Sequence, residues 1–117
     1  MAVTVVCIPV TADGRVGPSW GRAPRVALAD VEAGAVIAWS EHDVRWDELH
    51  DEGTEGGHHA RVARFLVDHR VQVVAADHMG PPMVRMLANM GLGVLLGAGG
   101  DARAAVIAAA AASPAPL

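Results

Sequence analysis

The chain has 117 residues with a formal charge of −4, and 52% of its residues are apolar, 19% charged and 3% aromatic. This length fits one domain with an aliphatic core, and a domain this small gains stability from a second copy, so a homo-oligomer stays open. The acidic balance and the absence of a Lys/Arg run argue against nucleic acid as a partner. The single cysteine, Cys7, excludes an internal disulfide.

The N-terminus lacks the basic start of a secretory signal, and its apolar stretch is interrupted by Pro9. The longest uncharged stretches, 86–100 and 104–117, are shorter than the about 20 residues that span a bilayer. These patterns predict a cytoplasmic protein without a membrane segment. The domain is expected to cover residues 1–112, and the proline-containing residues 113–117 are expected to form a flexible tail.

The first half of the chain has the pattern of three strands and a loop. Residues 3–10 are rich in β-branched side chains and predict a buried strand. Residues 25–31 and 35–39 predict an antiparallel hairpin, because the Glu32-Ala33-Gly34 connection is short and contains glycine. Residues 40–57 are acidic and lack a sustained period, so we expect a long surface loop there.

The second half alternates between helical and strand patterns. Apolar residues at helical spacing predict a helix over about 58–69, and the apolar run 71–76 predicts a strand buried on both faces. Proline at the start and glycine at the end predict a second helix between Pro81-Pro82 and Gly91. Residues 92–96 predict a strand, and Asp101 is the expected cap of a last, alanine-rich helix.

The resulting order, βββαβαβα, requires a mixed sheet because helical crossovers join parallel strands. All three helices then begin at the edge of the sheet where the first strand ends. We expect these N-termini at Gly57-His58, Gly80-Pro81 and Gly100-Asp101. Unpaired N–H groups at helix N-termini favour anions, and α/β sheets bind ligands at this edge. The topology therefore predicts one binding site there.

Potential metal ligands lie at the same edge. Imidazole and thiolate groups suit iron, copper, zinc or an iron–sulfur species, and the candidates are His58, His59, His78 and Cys7. His58 and His59 lie about 100° apart on a helix, so we expect one of them to act with His78 rather than a chelating pair. In the alternative interpretation, the histidines are surface or cap residues and Cys7 is a buried apolar residue.

Other residues near this edge are expected to contact a ligand without coordinating metal. Arg22 would screen the charge of an anionic ligand, and the glycines would let the ligand approach the backbone. The expected contacts are Asp13, Arg22, Gly57, Met79, Gly80, Gly99 and Gly100. The alternative is structural, because Asp13-Gly14 is a common turn pair and glycines commonly form caps and tight turns. The remaining histidines, His42, His50 and His69, are expected to face solvent.

Few residues support a catalytic site. The sequence contains no nucleophile elbow and no P-loop. Asp13 and Asp77 would hold a divalent metal in one alternative, a hydrolase or nuclease-like enzyme on the same fold. A second alternative is an oligomeric binding module for a small organic anion. The hydrolase lacks a third, well-placed carboxylate, so we expect a protein that is not an enzyme.

Four ordered motifs resemble one family. They are Ile8-Pro9-Val10 with Asp13-Gly14-Arg15-Val16, then Ser19-Trp20-Gly21-Arg22-Ala23-Pro24, then Gly57-His58-His59-Ala60-Arg61, and His78-Met79-Gly80-Pro81. Over about residues 3–106, their order and spacing resemble the dinitrogenase iron-molybdenum cofactor biosynthesis family. The chain departs from the family pattern at Trp20, where Phe is common, and at Pro82, where Gly is common.

The resemblance implies a ribonuclease H-like three-layer α/β/α fold with a five-stranded mixed sheet. It also implies a non-catalytic protein that binds, holds or hands over an iron–sulfur or iron-molybdenum cluster precursor. Its partners would be the proteins that donate and accept that cluster. His58, His59 and His78 carry the match, whereas Cys7 is a candidate from its position alone.

Overall fold

The structure is a computed structural model that describes residues 2–50 and 52–112. The strands are β1 (Thr4–Pro9), β2 (Val26–Glu32), β3 (Ala35–His42), β4 (Val73–Ala75) and β5 (Gly93–Leu95). The helices are α1 (Trp46–Leu49), α2 (Glu55–Asp68), α3 (Pro81–Asn89) and α4 (Ala102–Ala112). The tail expected at 113–117 lies outside the described residues. None of the described helices is long and apolar enough to cross a membrane.

The strands form one mixed sheet in the order β3-β2-β1-β4-β5. β2 pairs antiparallel with both β1 and β3, whereas β4 pairs parallel with β1 and β5. Ala33 and Gly34 join β2 to β3 with φ values of 51° and 76°, the positive values of a hairpin turn that matches strand twist. The mixed α/β sheet and the antiparallel hairpin are therefore confirmed.

The two faces of the sheet pack against different helices, because successive side chains of a strand point to opposite faces. Val6 and Ile8 of β1 are completely buried in the core that contains Val106 of α4. Cys7, between them, is buried in the opposite core with Leu66 of α2 and Leu87 of α3. The sheet therefore separates α4 from α2 and α3, and three layers result.

The expected loop over residues 40–57 is wrong in part. β3 continues to His42, and α1 occupies Trp46–Leu49. The Trp46 side chain is 2% exposed, and its ring packs against that of Trp20 with 5.2 Å between centroids. The buried Trp46 side chain anchors this acidic segment on the core. The sequence did not predict α1 because a helix of four residues is too short to show a helical period.

The start of α2 also differs from the prediction. The helix begins at Glu55, three residues before the expected start, and Thr54 is its N-cap. The Thr54 hydroxyl accepts a hydrogen bond from the N–H of Gly57 at 3.0 Å. Glycine has low helix propensity, so the sequence placed Gly57 outside the helix, but the cap and the packing of the helix outweigh that preference. His58 is consequently a helical residue rather than a cap.

The later elements agree with the prediction. α3 begins with two prolines, and Gly91 follows its end with a φ of 80°. The Asp101 carboxylate accepts a hydrogen bond from the N–H of Ala104 at 2.9 Å, which is the expected cap of α4. The strands over 71–76 and 92–96 are present but shorter than expected, as β4 and β5.

Candidate functional site

Three histidines line a cavity formed by the end of α1, the first turns of α2 and the start of α3. The cavity has a volume of about 170 Å³. Its lining consists of Trp20, Gly21, His50, His58, His59, Met79, Gly80, Pro82 and Met83. We call it the histidine cavity. It brings together both histidines of the adjacent pair, and Met79 and Gly80 from the expected site.

His58 has a structural position in the wall of this cavity. Its side chain is 1% exposed, with Nε2 at 2.8 Å from the carbonyl oxygen of Gly21. Its Nδ1 lies 2.9 Å from Nη1 of Arg61, which also donates to the carbonyl of Leu49 at 3.1 Å. Because Arg61 can only donate, these contacts assign a neutral ring that accepts at Nδ1 and donates from Nε2. Both ring nitrogens are therefore in use.

The pKa of His58 is lowered, chiefly because burial disfavours the charged ring. The hydrogen bond to the carbonyl of Gly21 opposes this effect, whereas the positive charges of His50, Arg61 and His59 lower the pKa further. The folded protein therefore holds His58 neutral to a lower pH than the unfolded chain does.

This lowered pKa predicts a loss of stability in acid. Below the unfolded pKa of about 6.5, the unfolded chain binds a proton at His58 more readily than the folded protein does, so the free energy of unfolding decreases as the pH falls. We expect a smaller decrease for His58→Gln, which keeps an N–H donor but does not titrate. Urea denaturation at about pH 7 and about pH 5 measures both. Equal decreases in the two proteins would show that His58 does not titrate as described.

His59 and His50 present further imidazoles to the cavity. His59 is half-buried one residue along α2, so its side chain points about 100° away from that of His58. His50 is also half-buried, and its ring centroid lies 4.9 Å from that of His58. The expectation that His50 faces solvent is therefore wrong. The sequence carries no signal for this, because His50 and Trp46 share a helix face only once the short helix α1 is known.

Trp20 contributes a buried polar atom without a partner. Its indole Nε1 is buried and has no hydrogen-bond acceptor within the described part of the chain. A buried donor left unsatisfied costs about 1–3 kcal/mol, and such groups in native proteins call for an explanation. Trp20 also contributes to the lining of the histidine cavity, but its Nε1 atom is itself closed to solvent.

Two of the candidate metal ligands lie outside the lining of the histidine cavity. His78 is exposed in the loop between β4 and α3, next to Met79. Cys7 is completely buried in the middle of β1, and burial raises the pKa of its thiol. Metal binding requires the thiolate, which this environment disfavours. We therefore do not include Cys7 in the ligand set that we propose below.

The other expected contacts are divided among different places. Arg22 lines a separate cavity at the end of β1. The Asp13 carboxylate accepts a hydrogen bond from the Thr11 hydroxyl, which lowers its pKa. Gly99 lines a third cavity against α4, and the carbonyl of Gly100 accepts from the N–H of Val16 at 2.8 Å. Gly99 and Gly100 lie apart from the histidine cavity because α4 packs on the opposite face of the sheet from α2 and α3.

The expected anion seat of three helix N-termini also differs from the structure. At α2, the N–H of Gly57 is bound by Thr54. At α4, Asp101 caps the first turn, and α3 begins with two prolines, which have no N–H to offer. Capping and the prolines therefore remove some of the N–H groups that the predicted anion seat would use.

Within the described residues, no group of three or more His, Cys, Asp or Glu side chains is arranged to hold a metal ion. A structural site for a single zinc ion takes four protein ligands, and a catalytic one takes three. The imidazoles of the histidine cavity would thus leave most positions on such an ion to other ligands.

The fold and the histidine cavity define a small α/β domain whose candidate binding site lies between helices on one face of its sheet. Comparison with protein families goes further. The sequence profile of the family described as "Dinitrogenase iron-molybdenum cofactor" matches residues 2–112, so the chain belongs to that family. This confirms the family predicted from the motifs.

Solved structures support the same fold. The apo form of the orange protein from Desulfovibrio gigas is 21% identical with a TM-score of 0.71, over 90% of this chain and 85% of that one. A Thermotoga protein with a provisional NifB assignment is 25% identical with a TM-score of 0.61, over 93% and 89%. A Methanocaldococcus jannaschii protein with a provisional dinitrogenase assignment is 11% identical with a TM-score of 0.64, over 92% and 91%. A comparison with curated proteins gives no match.

Proposed function

We propose that this protein binds and carries an iron–sulfur or iron-molybdenum cluster, or a precursor of one, without catalysing a reaction on it. Its partners would be the proteins that donate and accept the cluster. Family membership supports an association with the iron-molybdenum cofactor. We also retain the ribonuclease H-like class, the cytoplasmic location and self-association as predictions from the sequence.

One structural observation carries the proposal. The histidine cavity combines three imidazoles with two methionine thioethers, but the described residues offer no complete ligand set for a single ion. Ordinary [2Fe–2S] and [4Fe–4S] clusters take four protein ligands, so a cluster held here would bring most of its terminal ligands with it or share them with a partner protein. Imidazole is a suitable ligand for iron, and soft thioether sulfur is compatible with a sulfur-rich cargo.

The histidines at the histidine cavity would have different roles. His59 would coordinate the cluster, with His50 as the second imidazole, because both side chains line the cavity and His58 uses both of its ring nitrogens. His78 stays a predicted ligand, and its exposed loop joins directly to Met79 in the lining.

The size of the cavity suits a carrier. Its volume of about 170 Å³ is below the roughly 300–1,000 Å³ of sites that enclose a small molecule. The cavity would therefore hold one corner of a cluster and leave the rest accessible. A carrier must release its cargo to an acceptor protein, and partial enclosure makes such a transfer feasible without unfolding.

Anaerobic loading tests this function. The purified protein is offered a preformed iron–sulfur or iron-molybdenum cluster and separated from the excess by gel filtration, and metal content and visible absorbance are measured. We expect about one cluster per chain for the wild type and for His69→Ala, a histidine variant outside the lining. A wild-type protein that elutes without metal would contradict the proposal.

A further inference from the structure

A second cavity lies where β1 ends and β2 begins, and the proposed carrier function does not use it. Its volume of about 450 Å³ falls within the roughly 300–1,000 Å³ that small-molecule sites occupy. Three prolines contribute to its walls, namely Pro9, Pro18 and Pro24. We call it the proline cavity. Its lining is mostly apolar, with a few charged and hydroxyl side chains, as is usual for sites that bind organic molecules.

The walls of the proline cavity are held in place by backbone hydrogen bonds. The N–H of Gly17 donates to the carbonyl of Pro9 at 2.8 Å, and the N–H of Val10 donates to the carbonyl of Arg25 at 3.1 Å. A Cβ atom added at Gly17 would lie 3.3 Å from the Cβ of Pro9, so the two segments are in close contact. The rings of the prolines further restrict the backbone. The cavity is therefore formed before any ligand arrives, which lowers the entropic cost of binding.

The charged residues of the lining carry one net positive charge. They are Arg22, Arg25 and Asp43, two guanidinium groups and one carboxylate. Arg25 is already paired, with its Nε at 2.9 Å from Asp43 and its Nη1 at 3.3 Å from Glu41. The exposed guanidinium of Arg22 adds a second positive charge to the lining. Guanidinium groups bind carboxylates with two parallel hydrogen bonds.

We propose that the proline cavity binds a small organic carboxylate with an apolar body. The body lies against the prolines, and Arg22 binds the carboxylate group. Asp43 weakens binding, because its carboxylate repels the ligand and occupies Arg25. The two cavities have different linings, so this site exists whether or not the histidine cavity carries a cluster.

The test uses the metal-free, ¹⁵N-labelled protein and 4-phenylbutanoate as the probe, with 4-phenylbutan-1-ol as its uncharged match. Amide resonances are followed by NMR during titration. We expect saturable shifts at Thr11, Gly17 and Ser19, which line the proline cavity, and small shifts at Gly97 and Gly99, which line the cavity against α4. The alcohol is expected to bind at least about tenfold more weakly.

Three variants separate the charges. Arg22→Gln should weaken binding of the probe about tenfold, and Asp43→Asn should strengthen it several-fold. Arg64→Gln, at an exposed position of α2, removes the same charge away from the lining and should bind as the wild type does. The Arg25–Asp43 pair is exposed, so its loss leaves the fold intact. The proposal is overturned if no saturable shift occurs at the lining amides, if the alcohol binds equally well, or if Arg22→Gln binds as the wild type does.

Discussion

Replacing His58 with alanine should lower the free energy of unfolding by about 3 kcal/mol. The substitution removes a ring that is 1% exposed and leaves a hole between α2 and the segment around Gly21. It also leaves the carbonyl of Gly21 and the guanidinium of Arg61 without one of their partners. The ring of Trp46 loses its edge contact with the imidazole, whose centroid is 6.5 Å away. Urea denaturation at about pH 7, where His58 is neutral, measures the loss.

Two comparisons make this result specific. His78→Ala removes an exposed imidazole from a loop and should change stability by no more than about 0.5 kcal/mol. His58→Gln keeps an N–H donor and most of the volume, and should recover part of the loss. If His58→Ala were no less stable than His78→Ala, the two hydrogen bonds of His58 would not hold the wall of the histidine cavity.

In contrast to His58→Ala, His59→Ala should leave the stability of the fold nearly unchanged but weaken binding of the cluster. His59 is half-buried on α2 and lines the histidine cavity beside His58. Loss of a single metal ligand should weaken binding of the cluster at least about tenfold. Even the loss of a residue that only hydrogen-bonds to a metal ligand typically lowers metal affinity about 10–100-fold. Anaerobic titration of each protein with cluster, followed by visible absorbance, gives the affinities. The free energy of unfolding should change far less than in His58→Ala.

His50 and His78 complete this series. His50→Ala should also weaken cluster binding, because His50 lines the same cavity. His78→Ala decides between two ligand sets, since weaker binding would place His78 with His59, as the sequence predicts, and unchanged binding would leave His50 as the partner. Cluster binding that survives both His59→Ala and His50→Ala at full affinity would remove the histidine cavity from the function.

Strong local signals explain which parts of the fold were predictable. A glycine-containing connection between two apolar runs placed the β2–β3 hairpin, and paired prolines placed the start of α3. The segment after β3 had no such signal, because its contact with the core depends on Trp46 and on a packing partner, Trp20, that is distant in sequence. The start of α2 was displaced because Gly57 masked the capping role of Thr54.

The sequence could predict at which edge of the sheet the candidate site lies, but not on which face of the sheet each of its residues lies. Chain order places every helix start at the end of β1, but only side-chain packing determines which face of the sheet each helix covers. α4 covers the face opposite α2, so Gly99 lies apart from His59. The burial of Cys7 depends on the same alternation, because its neighbours Val6 and Ile8 point into the other core.

An imidazole of the histidine cavity should bind the metallocluster, and nitrogen hyperfine coupling tests this most directly. Protein labelled with ¹⁵N at histidine is loaded with a cluster in a paramagnetic oxidation state and studied by pulsed electron paramagnetic resonance. We expect couplings from ¹⁵N in the wild type that are reduced in His59→Ala, which loses one of its two imidazole ligands, and unchanged in His69→Ala, which lies outside the lining. A loaded wild-type protein without these couplings, or couplings unchanged in His59→Ala, would contradict imidazole binding.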